Sequence, residues 1–180
     1  MNAVIKQRKC KVPDCENMYT PYSTLSRACS PECALALVKL AKKKKWRKEK
    51  KARKDKLKTL SDWTKDAQAM FNKFIRLRDK GLSCISCGIK IAKWDAGHFK
   101  SIGGYPELRF RENNCHKQCA QCNSNKSGNI HEMRKGMIAR IGLSAVMEIE
   151  GPHDANHYII QDVKDIREFY RLKIKEMEKQ

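Results

Sequence analysis

The sequence lacks an apolar stretch long enough to cross a bilayer: a membrane-spanning helix needs about 20 mostly apolar residues, and no such run occurs. Its first ten residues, MNAVIKQRKC, lack the apolar core of a secretory signal peptide. Acidic side chains are scarce, since 20 Asp and Glu face 39 Lys and Arg, for a formal net charge of +19. We therefore expect no membrane span and a polyanionic partner, with nucleic acid first and an anionic membrane surface as the alternative.

Glycine and proline, which interrupt helices, are absent from Ala34 to Lys80. This predicts helix throughout that stretch, starting at Ala34 and ending at a Gly81 C-cap. Within it, Lys39–Lys58 holds eleven Lys, two Arg and only two acids, with too few apolar residues for a core-facing side. It is either a basic helix that binds phosphates or a solubilising linker. The candidate phosphate contacts are Lys42, Lys43, Lys44, Lys45, Arg47 and Lys48.

Nine cysteines, an odd number without a secretory signal, favour metal binding in a reducing cytoplasm over disulfides. Eight form two groups of four: Cys10, Cys15, Cys29 and Cys33, then Cys84, Cys87, Cys119 and Cys122. Each group can give four thiolates to one tetrahedral Zn²⁺ in a closed structural site, the alternative being unliganded buried cysteines. The ninth, Cys115, is expected to be a small apolar residue at a helix start.

The cysteine groups and the basic run suggest three domains. Residues 1–36 are too few to bury a core, so a zinc-ribbon or treble-clef module held by metal is expected there. Residues 37–80 would form a basic helical connector, and residues 81–180 the functional domain. From Leu60 the connector changes character, because apolar residues recur at helical spacing after a candidate N-cap at Ser61. The predicted core stripe is Trp63, Ala67, Met70, Phe71, Phe74 and Leu77.

The last domain is expected to contain two strands, Ile89–Trp94 and Ala96–Lys100, before a helix that starts at Asn114 and carries the last two cysteines. Residues 131–150 predict one further helix, ended by Gly-Pro. Residues 162–179 predict another, whose apolar side is either core or a dimer seam.

The stretch from Cys84 to Asn129 resembles the HNH (ββα-metal) nucleases framed by zinc knuckles. In it Asn114 stands five residues before Cys119, and Asn123 directly follows Cys122. The whole chain resembles the NinG (Rap) recombination nucleases of lambdoid phages. The resemblance implies an α+β fold: a zinc module, a long basic helix, and a zinc-framed ββα-metal core with flanking helices. It also implies an Mg²⁺-dependent (or Mn²⁺-dependent) endonuclease that cuts branched DNA such as Holliday junctions and D-loops.

The resemblance gives the polar residues of this stretch their roles. His98 matches the general base, which suits a neutral imidazole near pH 7. Asn114 matches the residue that orients the base, and Asn123 matches the last metal ligand. Basic residues are expected to contact DNA phosphates around this site: Lys100, Arg109, Arg111, Lys117 and Lys126.

The sequence departs from the family pattern at the carboxylate. Many HNH sites place a metal ligand directly before the base, but Gly97 stands there and Asp95 lies three residues before His98. On a regular strand an odd spacing places two side chains on opposite faces, so a bulge would be needed to bring both to one Mg²⁺. His116 is the alternative ligand.

Three other functions stay open on the sequence: a non-catalytic zinc DNA-binding or architectural protein, a sequence-specific HNH nuclease, and a zinc-ribbon RNA-associated factor. For the branched-DNA nuclease, symmetric cutting of a four-way junction calls for two active sites, and so for a homodimer. The expected location is the cytoplasm of the bacterial host.

Overall fold

The computed structural model describes residues 6–179, so the start of the predicted zinc module and Gln180 lie outside the described residues. The chain divides between Lys58 and Thr59 into two compact units. The fold is mixed α and β, as predicted. No helix in residues 6–179 is both long enough and apolar enough to cross a bilayer.

The first unit is a small hairpin followed by one long helix. Strands β1 (Arg8–Lys9) and β2 (Met18–Tyr19) pair antiparallel, and α1 spans Pro31–Leu57. The helix begins three residues before the predicted Ala34, because the Ser30 side chain accepts from the backbone N–H of Cys33 at 3.3 Å. Its 27 residues include no buried one, so α1 is solvated along its whole length.

The predicted connector, residues 37–80, consists of parts of two helices, with the break two residues before the candidate N-cap at Ser61. A capping box starts the second helix: Thr59 Oγ1 accepts from the Asp62 N–H, and Asp62 Oδ2 accepts from the Thr59 N–H. Thr59, not Ser61, is therefore the N-cap of α2 (Leu60–Arg78). Asp79, not Gly81, is its C-cap, and its backbone N–H donates to Ile75 O at 3.0 Å.

The main core of the second unit lies between α2 and α5 (Ile160–Met177). The predicted stripe of α2 is confirmed, since its residues are buried in this core or packed against it. The apolar side of α5 is also core, although Phe169 on that helix stays 52 % exposed. The buried members are Trp63, Ala67, Phe71, Phe74, Ile75, Phe110, Cys115, Val163, Tyr170 and Ile174.

A second core cluster involves the short helices α3 (Ile130–Ile141) and α4 (Leu143–Glu150). Residues 131–150 are helical as predicted, but they form two helices and not one. Gly142 separates them with φ at +87°, a left-handed value that glycine adopts without a Cβ penalty.

The sheet that positions the candidate site is a two-stranded ribbon. Strand β3 (Trp94–His98) pairs antiparallel with β4 (Cys115–Cys119) in a register without a bulge, so β3 has one edge that no strand covers. On the outer edge of β4, the Lys117 N–H donates to Asp79 and the Lys117 carbonyl accepts from Ile85. The pair of strands predicted over residues 89–100 is wrong, because β3 pairs across a 16-residue loop. The helix predicted from Asn114 is wrong too: a 3₁₀ turn, Glu112–Asn114, leads directly into β4, all of whose residues are buried. The helical segment follows at Gln121–Asn125, as a single π-helical turn.

Candidate functional site

The second cysteine group is assembled around a common centre. One ligand atom of each of Cys84, Cys87, Cys119 and Cys122 lies within 4.8 Å of the other three. The Sγ atoms of Cys87 and Cys119 are 3.7 Å apart. A tetrahedral ion with Zn–S bonds of about 2.3 Å places its sulfurs about 3.8 Å apart. The group therefore fits one tetrahedral metal ion.

Backbone N–H groups surround these sulfurs. The N–H of Cys119 donates to Cys84 Sγ at 3.3 Å, and the N–H of Cys122 donates to Cys119 Sγ at 3.4 Å. Burial raises the pKa of the Cys84 thiol, but the N–H donors outweigh burial and bring that pKa down to about 7. At Cys84 these donors favour the thiolate, the form that binds metal, whereas at Cys119 burial outweighs its N–H donor and raises the pKa.

The first cysteine group is assembled in the same way around the start of α1. Cys29 Sγ lies 3.6 Å from the Sγ of both Cys15 and Cys33, and Cys10 completes the set. Two four-cysteine groups, each able to hold a metal ion, are thus present among residues 6–179, as the spacing predicts.

His98 ends β3, and its ring is held from both sides. Nε2 lies 3.0 Å from the carbonyl oxygen of Arg109. Because a carbonyl can only accept, Nε2 carries the hydrogen and the neutral ring has its lone pair on Nδ1. Burial lowers the pKa of His98, and the Arg109 carbonyl opposes that shift only in part. His98 is therefore neutral at pH 7, as a general base must be.

The ninth cysteine contacts that lone pair. Cys115 Sγ lies 3.6 Å from His98 Nδ1, and its side chain is fully buried. Burial raises the pKa of the Cys115 thiol far above its ordinary value, so it stays protonated. Cys115 is small and buried as predicted, but it starts a strand rather than a helix, where it lies opposite His98.

Asn114 fixes the loop that carries Arg109. Its side chain is fully buried; Oδ1 accepts from the Lys100 N–H at 2.8 Å, and Nδ2 donates to the Lys100 and Leu108 carbonyls at 3.0 and 3.1 Å. It thus acts on His98 indirectly, by shaping the loop whose carbonyl holds the ring.

A groove of about 560 Å³, here called the His98 groove, follows the free edge of β3. One wall is the β3 edge with the loop after it, and the others are α2 and the segment around Asn123. The lining includes no carboxylate. Its members are Gln68, Asn72, Ala96, His98, Phe99, Lys100, Ser101, Ile102, Tyr105, Asn123, Ser127, Gly128 and Ile130.

Asp95 is adjacent to this groove but does not line it. Because β3 is regular, Asp95 pairs with Gln118 and lies on the opposite face of the ribbon from His98. Asn123 links the two sides: it lines the groove, and its Nδ2 donates to Asp95 Oδ2 at 3.1 Å. A carboxylate next to an amide that can turn its oxygen outward suits Mg²⁺, which takes few protein ligands and keeps several waters.

The alternative Mg²⁺ ligand, His116, is buried and already hydrogen-bonded on both ring nitrogens. It is 1 % exposed; Nε2 lies 3.0 Å from the Asn113 carbonyl, and Nδ1 lies 3.3 Å from Arg78. Burial, with the Arg78 charge, lowers the pKa of His116 to about 4. It belongs to a buried polar cluster centred on Asp79, which accepts from Arg78 Nε at 2.7 Å. No sequence pattern indicated this cluster.

The residues predicted to contact phosphates lie in different parts of the structure. Only Lys100 lines the His98 groove. The Arg109 side chain donates to Ile102 O, and Arg111 pairs with Glu148 at 3.7 Å. Lys126 lies beside the second cysteine group, and Lys117 is buried, so it cannot belong to the rim. The six candidates on α1, Lys42, Lys43, Lys44, Lys45, Arg47 and Lys48, are all exposed.

Comparison with known proteins identifies the family. The profile described as "Bacteriophage Lambda NinG protein" matches residues 2–180. Protein ninG of Escherichia phage lambda is 41 % identical over 98 % of this chain and 96 % of its own. Protein ninG of Salmonella phage P22 is 40 % identical over 95 % of this chain and 94 % of its own. No solved structure matches the chain significantly. With a match along nearly its whole length, the chain belongs to the NinG family of lambdoid phage proteins.

Proposed function

We propose that this protein is a metal-dependent endonuclease that cuts branched DNA recombination intermediates, such as Holliday junctions and D-loops, in the host cytoplasm. The observation that carries the proposal is the state of His98. Its ring is neutral, its tautomer is fixed by the Arg109 carbonyl, and it lines a groove without carboxylates. The HNH resemblance assigns the general base to this position.

In the proposed reaction, a water replaces the Cys115 thiol as the partner of His98 Nδ1 and gives that nitrogen a proton, while the water oxygen attacks the phosphorus. The bond from phosphorus to the leaving oxygen breaks, and that oxygen is protonated from solvent. A divalent cation, Mg²⁺ or Mn²⁺, would be held by Asn123 with Asp95 and would supply charge neutralisation at the phosphate. Asn114 keeps the Arg109 carbonyl in place, so the ring points the same way throughout.

The two cysteine groups are proposed to hold Zn²⁺ as structural ions. Four thiolates close the coordination sphere, so neither ion keeps a position for substrate. The second group lies at the end of β4 and in the helical turn that carries Asn123. Zinc there would fix Asn123 relative to β3, and the basic helix α1 would contribute phosphate contacts. A homodimer would provide two sites for the two strands of a junction.

The placement of Asp95 favours a second candidate, a DNA-binding protein without catalysis. Without a bulge in β3, Asp95 and His98 lie on opposite faces of the ribbon, so only Asn123 borders both. Such a protein would bind junctions through the same basic surfaces and would cut none.

A cleavage assay separates the two candidates. Purified protein is incubated with end-labelled linear, Y-shaped and four-way DNA, with and without Mg²⁺. The nuclease proposal expects Mg²⁺-dependent nicks in branched substrates, lost in His98→Ala and in His98→Gln, whose amide can still donate to Arg109. Both variants should bind junctions as the wild type does. A wild type that binds junctions but nicks none supports the second candidate.

A further inference from the structure

The wall of the His98 groove opposite β3 carries a pair of side-chain amides. Gln68 and Asn72 stand one helical turn apart on α2, and Gln68 Nε2 donates to Asn72 Oδ1 at 2.8 Å. Phe71, between them in sequence, packs on the His98 ring with the ring centres 5.9 Å apart. The two amides therefore lie on the side of α2 that faces the candidate base.

This pair leaves two polar groups without partners in the described part of the chain. Gln68 Oε1 is buried and accepts no hydrogen bond, and Asn72 Nδ2 donates to no described residue. The N and O atoms of both amides can be exchanged. Asn72 then donates to Gln68, and the pair still leaves the same two kinds of group unused. In either assignment one NH₂ group and one carbonyl stay unused. Of these groups only the one on Gln68 is buried, and buried polar groups normally find partners, so a partner for Gln68 from outside the protein is expected.

The unused groups match the two parts of a hydrolysis site. A non-bridging phosphate oxygen can only accept, so it fits the NH₂ group. An attacking water must donate, so it fits the carbonyl. The groove suits an anion because Lys100 is among its lining residues and no carboxylate is. By contrast, the larger groove beside Arg111 is lined by Glu107, Asp154 and Asp165.

We propose that Gln68 and Asn72 contact the scissile phosphodiester and its attacking water from the side opposite β3. The amide NH₂ donates a hydrogen bond to a non-bridging oxygen, and the amide carbonyl accepts a hydrogen bond from the water, which keeps that hydrogen while His98 Nδ1 takes its other proton. The hydrogen bond within the pair keeps both amides in one orientation. The inference rests on the proposed nuclease function and adds two substrate contacts from a helix outside the ββα frame.

The test compares Gln68→Ala, Asn72→Ala and the near-isosteric Asn72→Asp with wild type on a four-way junction. Single-turnover cleavage is measured with Mg²⁺ at saturating protein, and affinity is measured with Ca²⁺ in its place. We expect each alanine variant to cut at least about tenfold more slowly, as happens when other enzymes lose a transition-state hydrogen bond. Asn72→Asp should cut more slowly still, because it places a carboxylate against the phosphate. The affinity of the two alanine variants should change by less than about threefold.

Gln161→Ala is the matched control, since Gln161 Nε2 donates to Asp165 Oδ1 at 2.8 Å, also one helical turn away, on the exposed side of α5. It should cut at the wild-type rate. Circular dichroism verifies the fold of each variant, and Asn72→Asp keeps the side-chain volume should Asn72→Ala unfold. The inference is overturned if the Gln68 and Asn72 variants cut within about twofold of the wild-type rate. It is also overturned if they lose affinity but cut at the wild-type rate when saturated. If the wild type itself cuts nothing, the proposed function fails and the inference with it, whereas an active wild type with equally active variants refutes the inference alone.

Discussion

The side-chain amide of Gln118 fills the space in which a Cβ on Gly97 would stand. Gln118 is fully buried, and its Nε2 donates to Ser86 Oγ at 2.6 Å and to Gly128 O at 2.5 Å. This one side chain thus connects β4 to the turn between Cys84 and Cys87 and to the loop before α3. Any side chain at residue 97, directly before His98, would therefore require Gln118 to move.

Gly97→Ala should destabilise the second unit, because Gln118 must move and give up its two buried bonds. The expected loss is about 1–3 kcal/mol in the free energy of unfolding, measured by urea titration. Gly103→Ala is the control: a Cβ there meets nothing within 4 Å, so stability should change by less than about 0.5 kcal/mol. Equal losses in both variants would contradict the steric account.

Cys119→Ser should remove one of two bound zinc ions, because a hydroxyl replaces one of four thiolates. Structural zinc contributes about 10–16 kcal/mol in small finger peptides, so the variant should also fold poorly. Metal content by atomic absorption is the measurement. Cys115→Ser is the control, since Cys115 lies outside both groups and should keep both ions. Unchanged zinc in Cys119→Ser would contradict the site.

Replacing Lys42 to Lys45 by alanine should weaken DNA binding and flatten its dependence on salt. For every phosphate that the protein no longer neutralises, the slope of log K against log [salt] should become shallower by about 0.9. The measurement is affinity for a four-way junction at several salt concentrations. Arginine at the same four positions keeps the charge and should keep the slope. A slope unchanged in the alanine variant would show that this part of α1 does not contact DNA.

Stability should fall on acidification because His116 is buried neutral. Burial, with the Arg78 charge, lowers its pKa to about 4, whereas the unfolded chain titrates near the ordinary value of about 6.5. Between those values the unfolded state binds more protons, so stability present above about pH 6.5 is lost progressively towards pH 4, by about 3 kcal/mol. The free energies of unfolding of wild type and His116→Gln, measured by urea titration, should therefore become more similar as the pH falls. His131→Gln, at an exposed site, should parallel the wild type.

Cleavage should stay fast at mildly acidic pH. Since burial lowers the pKa of His98, its ring keeps the lone pair below the ordinary value of about 6.5. The rate should therefore be level from pH 8 down to about 6.5 and fall only below it, when His98 gains a proton. Single-turnover rates across that range provide the measurement. A rate that already declines between pH 8 and 7 would rule out His98 as the sole base.

The sequence predicted what depends on local pattern. Both cysteine groups follow from spacing, and the α2 stripe follows from helical periodicity at Trp63, Ala67 and Phe71. The placement of His98 beside Asn123 came from a resemblance to HNH cores, and the structure brings these two into one groove.

What the sequence missed depends on tertiary contacts. The segment CHKQC shows no strand pattern, because β4 is buried on both faces and alternation disappears. Lys117 looked like a surface residue, yet its Nζ donates to Lys80 O and lies 4.2 Å from the centre of the Trp94 ring. Gln68 and Asn72 lie beside the apolar stripe and look like ordinary surface positions until β3 is placed opposite them.

The absence of any buried residue in α1 has a consequence for the size of the proposed DNA substrate. A helix of 27 residues is about 40 Å long, the axial length of about twelve base pairs of duplex. Its lysines repel one another in free solution, and phosphates along a duplex arm would relieve that repulsion. Arms trimmed to half a dozen base pairs would leave much of this helix without phosphates, so the shortest good substrate would be set by α1 rather than by the groove.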